Sequence, residues 1–131
     1  MIRISTALRR LVVGALAVGA AMTVAPNAAS AAYLGWGGTL QPQQEQCVAA
    51  PASYQARGEG NASTSSFRFF MKRNGVRIYG TGENPVSAFA AEFRSSWGTF
   101  PGPGTYETCA KNLSGSPRLV NFRIITDADL W

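Results

Sequence analysis

Two cysteines, Cys47 and Cys109, stand 62 positions apart in a chain that has no third. Whether they pair decides how small a core the rest of the chain can fold around. Pairing depends on the redox compartment, and the N-terminus speaks to that. Arg3, Arg9 and Arg10 form a basic head, Leu11 to Val24 is an apolar run, and Ala29-Ser30-Ala31 offers the small residues that a signal peptidase accepts. The run holds about 14 residues and is interrupted by Gly14 and Gly19, short of the roughly 20 needed to span a bilayer. Residues 1–32 therefore read as a signal peptide, with cleavage after Ala31 or Ala32 and no membrane association afterwards. Ordinary secretion is preferred to the twin-arginine route, because Leu11-Val12-Val13 matches poorly what usually follows the arginine pair. In an exported chain the two cysteines have one intrachain connectivity, and a Cys47–Cys109 disulfide is expected.

Export also changes the charge argument. The chain carries 12 basic and 7 acidic side chains, a net charge of +5, but three of the arginines leave with the signal. Nine against seven remain, so the basicity is mostly that of the targeting segment. The densest basic group, Arg68, Lys72, Arg73 and Arg77, flanks a tight turn, where a solvated hairpin tip accounts for it. A nucleic-acid partner is not expected.

About 99 residues remain from Tyr33 to Trp131, enough for one domain but marginal for one core. Gly, Pro, Asn and Ser clusters punctuate short alternating runs, as in a β protein. Ser66 to Lys72 sets Phe67, Phe69 and Met71 against Arg68, Phe70 and Lys72, the period of a strand. Asn74-Gly75 tolerates the positive φ angles of a type I′ turn, so Val76 to Gly80 is expected to return antiparallel, with Val76 and Ile78 on one face. Tyr106 to Lys111 and Leu119 to Thr126 read as strands joined through Asn112 to Pro117 as a second hairpin. Ser53 to Arg57, and Leu40 with Gln46 to Val48, are weaker strands. Ser87 to Arg94 fits a helix by its Phe89/Phe93 spacing and a strand by its Phe89, Ala91, Phe93 alternation; strand is favoured by its neighbours.

Some seven strands with turns about every ten residues describe an all-β fold, a small antiparallel two-sheet sandwich with one disulfide. Cys47 on an early strand and Cys109 on the penultimate one suggest an immunoglobulin-like arrangement. Two features depart from it. Tyr106 stands three residues before Cys109 rather than two, which points it to the opposite face, and Trp97 is far from the usual core position.

The chain has no histidine, which removes the commonest general base, the Ser-His-Asp and Cys-His arrangements, and nearly all zinc sites. Glu45, Glu59, Glu83, Glu92 and Glu107 are scattered, and Asp127 with Asp129 reads as solvated tail charge rather than as an acid and base pair. No phosphate-cradling loop, dinucleotide fingerprint or nucleophile elbow is present. No catalytic residue, metal site or cofactor is expected.

What stands out is the new N-terminus. Tyr33, Leu34, Trp36 and Leu40 sit on a glycine-rich backbone, Gly35, Gly37 and Gly38, where chains are usually polar. Residues 33–41 read as a flexible aromatic and glycine segment ahead of a β-sandwich domain at 42–131. Trp and Tyr are favoured binding anchors, and an extended segment can add a strand to another protein. The competing reading has Trp36 and Leu40 covering the chain's own sandwich. Two other surfaces suggest different partners. The stiff loop Thr99 to Gly104 suits an inhibitor of an extracellular hydrolase, and Trp36, Tyr79 and Trp97 suit stacking on a carbohydrate. Leu130-Trp131 either packs back on the sandwich or meets a partner. Asn61-Ala62-Ser63 and Asn112-Leu113-Ser114 are glycosylation sequons, which mean little if the source is bacterial.

The alanine-rich signal ending Ala29-Ser30-Ala31-Ala32, the two cysteines and the run from Pro103-Gly104-Thr105-Tyr106 to Asn112 resemble the small secreted β-sandwich proteins of actinobacteria. In size, export and aromatic N-terminus the chain is similar to the adaptor subunits of secreted umbrella-toxin particles. That resemblance implies a non-enzymatic extracellular adaptor linking a lectin-like subunit to a large stalked toxin subunit. Its N-terminal segment, here Tyr33 to Leu40, would enter a cleft in the other secreted protein.

Overall fold

The computed structural model describes residues 31–128. Most of the expected signal peptide, together with Asp129, Leu130 and Trp131, lies outside the described residues. Eight strands follow in order: β1 (Ala32–Leu40), β2 (Glu45–Ala52), β3 (Gln55–Asn61), β4 (Phe67–Arg73), β5 (Val76–Gly80), β6 (Ala88–Arg94), β7 (Gly104–Asn112) and β8 (Arg118–Thr126), with a short 3-10 turn at Ser95–Trp97. No helix among the described residues is long and apolar enough to cross a membrane.

The strands form two four-stranded antiparallel sheets, β1-β8-β3-β6 and β2-β7-β4-β5. The expected two-sheet sandwich is present, but its strand order is not that of an immunoglobulin domain. The pairs β4·β5, β3·β6, β2·β7 and β1·β8 nest inside one another. This is a long hairpin rolled over on itself, the topology of a jelly roll. In such a roll β4–β5 is the one connection that stays in a sheet. Asn74 and Gly75 make that turn with φ of 50° and 83°, as their residue types dictate. The hairpin carries a bulge between Met71 and Lys72, which leaves Ile78 without a register partner, and Val76 is exposed.

The β7–β8 connection, read from sequence as a second hairpin, instead crosses between the sheets. The cause is a buried side chain. Asn112 donates from Nδ2 to the carbonyls of Leu40 (2.9 Å) and Ser116 (2.8 Å), and its Oδ1 accepts from the backbone N–H of Ser114 (2.9 Å). These bonds fold residues 113–117 towards the facing sheet.

Alternation assigns the core. Phe67, Phe69 and Met71 from β4, Tyr106 and Ala110 from β7, Phe89 from β6, and Val120, Phe122 and Ile124 from β8 meet between the sheets. Phe69 stacks on Phe89 with ring centroids 5.8 Å apart. The segment Ser87 to Arg94 is a strand over Ala88–Arg94 because its alternating apolar set faces this core while Ala88 and Ala90 face out. The phenolic Tyr106 is fully buried, and its hydroxyl donates to the Gly102 carbonyl at 2.6 Å. Burial raises its pKa, an effect that Arg73 and the Gly102 bond only partly oppose.

Gly58 and Gly60 on β3 set how closely the sheets approach. A Cβ on Gly60 would come within 2.5 Å of the Phe69 ring, and one on Gly58 within 2.8 Å of the Met71 sulfur. Gly60→Ala is accordingly expected to overpack the core and destabilise the domain by about 2 kcal/mol. A urea-denaturation midpoint that does not move would refute this account of the sheet spacing.

The disulfide forms as expected between Cys47 and Cys109. It does not bridge the two sheets as in an immunoglobulin domain. Cys47 and Cys109 are register partners on the adjacent strands β2 and β7, on the face turned away from the core. Phe70 is paired with Cys109 on the same outer face and is shielded by Arg77, whose guanidinium lies 4.3 Å from the ring centroid.

Candidate binding surface

Residues 32–40 are not a loose tail. Each residue from Ala32 to Leu40 pairs in register with β8, from Ala32 opposite Thr126 to Leu40 opposite Arg118. The flexible segment expected at 33–41 is therefore strand β1 of the sandwich. Glycine lowers strand propensity, but the fixed register with β8 and the anchored ends override it. Leu40, expected as a partner contact, is fully buried in the core. Trp36 is half-buried, stacks on Phe122 at 5.5 Å, and lays its ring over Gly38, where a Cβ would approach to 3.0 Å. Tyr33 and Leu34 remain outside, at 56% and 40% exposure. β1 is also an edge strand, since it is hydrogen-bonded to β8 alone.

The outer face of this sheet continues from β1 as an open trough of about 770 Å³. Its floor follows from the register. One rung runs Gly35, Arg123, Glu59, Ala90 across β1, β8, β3 and β6; the next runs Gly37, Asn121, Asn61, Ala88. The outer strands contribute glycine and alanine, and the inner strands contribute an ion pair and two carboxamides. Tyr33 forms one wall, with the Arg123 guanidinium over its ring at 5.1 Å and hydrogen-bonded to its hydroxyl. Tyr33 is thus the one sequence-expected contact residue that meets both the edge and the trough as an exposed side chain.

The charges of the trough are mutually satisfied. Arg123 Nε donates to Glu59 Oε1 at 2.6 Å, Arg57 also pairs with Glu59, and Arg57 Nη1 donates to Glu92 Oε1 at 2.9 Å. Burial pushes the Glu59 carboxyl up, but the bonds and charges of Arg57 and Arg123 outweigh it and hold it below the ordinary carboxylate range. A carboxyl whose folded pKa is depressed contributes stability above its unfolded value of about 4.3 and loses it as pH falls through the folded value. The stability of Glu59→Gln should therefore fall less steeply with acidification than that of the wild type. Parallel urea midpoints between neutral and acidic pH check this, and identical slopes would refute it.

The three aromatics suggested as a sugar platform are not brought together. Trp36 lies on β1, at one edge of its sheet, whereas Tyr79 packs against Phe89 and Phe93 of β6 at the opposite edge. Trp97 is exposed in the 3-10 turn with Arg94 over its ring at 4.6 Å. The Thr99–Gly104 loop is clamped from behind. Arg73 donates to the carbonyls of Gly102 (3.2 Å) and Pro103 (2.9 Å), and Phe100 stacks on Tyr106 at 5.4 Å. Among the described residues, one group of candidate ligand atoms for a metal, Glu45 with Cys47 and Cys109, contains the disulfide, so its sulfurs are not thiolates.

Asp127 departs from its sequence reading as a solvated tail charge. It is buried, and its carboxylate accepts the backbone N–H groups of Ser53, Tyr54 and Gln55 at 2.9, 2.9 and 3.3 Å. Of the trough residues, Glu59 reads from sequence as one of several scattered carboxylates and Asn61 as part of a sequon, and neither Asn121 nor Arg123 stands out there. The signal that joins them is a period of two, Glu59/Asn61 and Asn121/Arg123, on strands whose intervening residues Gly60 and Phe122 face the core.

No protein-family model and no curated protein matches the sequence. Among solved structures, the chain is similar to the crystal structure of the Yersinia pseudotuberculosis-derived mitogen YPM, with a TM-score of 0.54 and 12% identity over 76% of this chain and 90% of that one. At that identity the likeness is one of fold, a β-sandwich shared without evidence of shared chemistry.

Proposed function

We propose that this chain is a secreted, non-enzymatic binding module that links other extracellular proteins, docking one of them along strand β1. The observation that carries the reading is the open edge of β1. A strand hydrogen-bonded on one side, with glycines at 35, 37 and 38 and with Tyr33 and Leu34 exposed, offers unpaired backbone groups and apolar anchors for an added strand. Because Leu40 belongs to the core, the segment would serve in place, as an edge, rather than by leaving its own sheet. The disulfide and the N-terminal targeting pattern support an extracellular setting, and the resemblance to umbrella-toxin adaptors supplies the kind of partner. Inhibition of a hydrolase through Thr99 to Gly104 has less support, since Phe100, Gly102 and Pro103 are engaged by Tyr106 and Arg73 at home.

Deleting β1 would remove Leu40 from the core, so the test uses point changes. Leu34→Lys together with Thr39→Lys places two charges on the exposed edge, and edge lysines oppose strand addition. The tagged mature protein is expected to capture a stoichiometric secreted protein from its native medium, and the double variant to bind it at least about tenfold more weakly, a difference of roughly 1.4 kcal/mol. Equal capture by a folded double variant would remove β1 as the docking edge.

A further inference from the structure

Beyond the edge of β1, we propose that the trough on the outer face of its sheet is a binding site for a neutral oligosaccharide. Three observations carry this. The first is the floor: Gly35 and Gly37 on one side and Ala88 and Ala90 on the other carry nothing larger than a methyl group, so the outer strands leave room for a flat ring beside the polar side chains of the two inner strands. The second is the pair of carboxamides. Asn61 and Asn121 face each other across β3 and β8 as register partners, both exposed, and neither side chain hydrogen-bonds within the described residues. Each presents a donor and an acceptor from one group, the pattern that matches adjacent sugar hydroxyls.

The third observation is the charge. Glu59 and Arg123 are the ionisable groups on the floor, and they neutralise each other at 2.6 Å. An anionic ligand would have to compete with Glu59 for Arg123, and a cationic ligand with Arg123 for Glu59. A polyhydroxylated neutral ligand does neither, and it can use the lone pairs and N–H groups the ion pair leaves over. Tyr33 adds an aromatic wall, fixed by Arg123, against which an apolar sugar face can rest. The volume, about 770 Å³, lies within the 300–1,000 Å³ typical of small-molecule sites. Gly37 belongs to the design, since a Cβ there would collide with the Asn121 carboxamide.

The test is a panel of chitotriose, cellotriose, mannotriose and lactose, with 3′-sialyllactose as the anionic comparison, titrated calorimetrically into the mature disulfide-bonded protein. At least one neutral probe is expected to bind, with about tenfold weaker affinity in Asn121→Ala, the loss of a paired amide contact. Ala90→Phe fills the floor from an exposed position and is expected to abolish binding, while thermal melting confirms that both variants fold. Leu34→Lys with Thr39→Lys lies outside the trough and should leave sugar binding intact, so failure of the edge proposal and failure of this one are read separately. Absence of binding to every neutral probe, preference for the sialylated one, or affinity unchanged by both trough variants overturns the proposal. Loss of protein capture in Ala90→Phe without any sugar binding also overturns it, and assigns the trough to a protein partner.

Discussion

Replacing both Cys47 and Cys109 by alanine is expected to lower the unfolding free energy by about 4 kcal/mol, the figure that loop-closure entropy gives for partners 62 residues apart. For a domain of this size that is a large share of the total stability. The position of the bridge says where the loss will appear. Because Cys47 and Cys109 lie on neighbouring strands, the bond pins β2 to β7 and does not hold the sheets together. β2 is an edge strand whose other side is open, so without the bond it should open before the rest. Hydrogen exchange is expected to accelerate at Gln46 to Ala50 ahead of Phe69 to Met71, with a fall in the urea midpoint. A midpoint within experimental error of the wild type would show that the ladder alone sets the stability of β2.

Asp127→Ala is expected to cost about 3 kcal/mol, nearly as much, from a residue that lies outside both the β1 edge and the trough. Hydrogen bonds to a charged acceptor contribute about 1.5–3 kcal/mol, and removing the carboxylate deprives the buried Gln55 donor and the part-buried Ser53 and Tyr54 donors of their acceptor at once. Ser53 and Tyr54 form the tight crossover from β2 to β3, where the chain changes sheets, and Gln55 opens β3. The carboxylate takes their N–H groups, Asp127 N–H donates to the Gln55 carbonyl at 3.0 Å, and the Tyr54 hydroxyl donates to the Asp127 carbonyl at 3.0 Å. Asp127 also has φ of 53°, a region that aspartate, asparagine and glycine enter more readily than alanine. Two further variants separate these contributions. Asp127→Gly relieves the backbone but loses the acceptor, and Asp127→Asn keeps one acceptor oxygen and the backbone preference. The expected order of stability is wild type, Asn, Gly, Ala; a glycine variant as stable as the wild type would leave the carboxylate without the role given to it.

The strands with an unbroken period of two were legible in the sequence because burial between two sheets imposes that period on every strand. Phe67, Phe69 and Met71 point inward as their alternation dictates, and Asn74-Gly75 turns where the residue types allow positive φ. Residues 33–41 were harder. Their glycines signal flexibility to any local rule, yet nine consecutive pairings with β8, about 90 residues away, make them a strand. Asp127 departs from its local sequence signal for a related reason. Its acceptors are satisfied by N–H groups more than 70 positions distant, and nothing near it in sequence reports them.

The sequence by itself determined the class of fold, the pairing of the two cysteines and the one hairpin that stays in a sheet, since each follows from local periodicity, residue type or the absence of any alternative partner. Only the tertiary structure decided the rolled topology, the use of the disulfide within one sheet, and the meeting of Glu59, Asn61, Asn121 and Arg123 on one face. Those depend on which strands lie side by side. The pairing of β8 with both β1 and β3 is settled by long-range packing of the core, and no stretch of sequence short enough to read as a motif contains it.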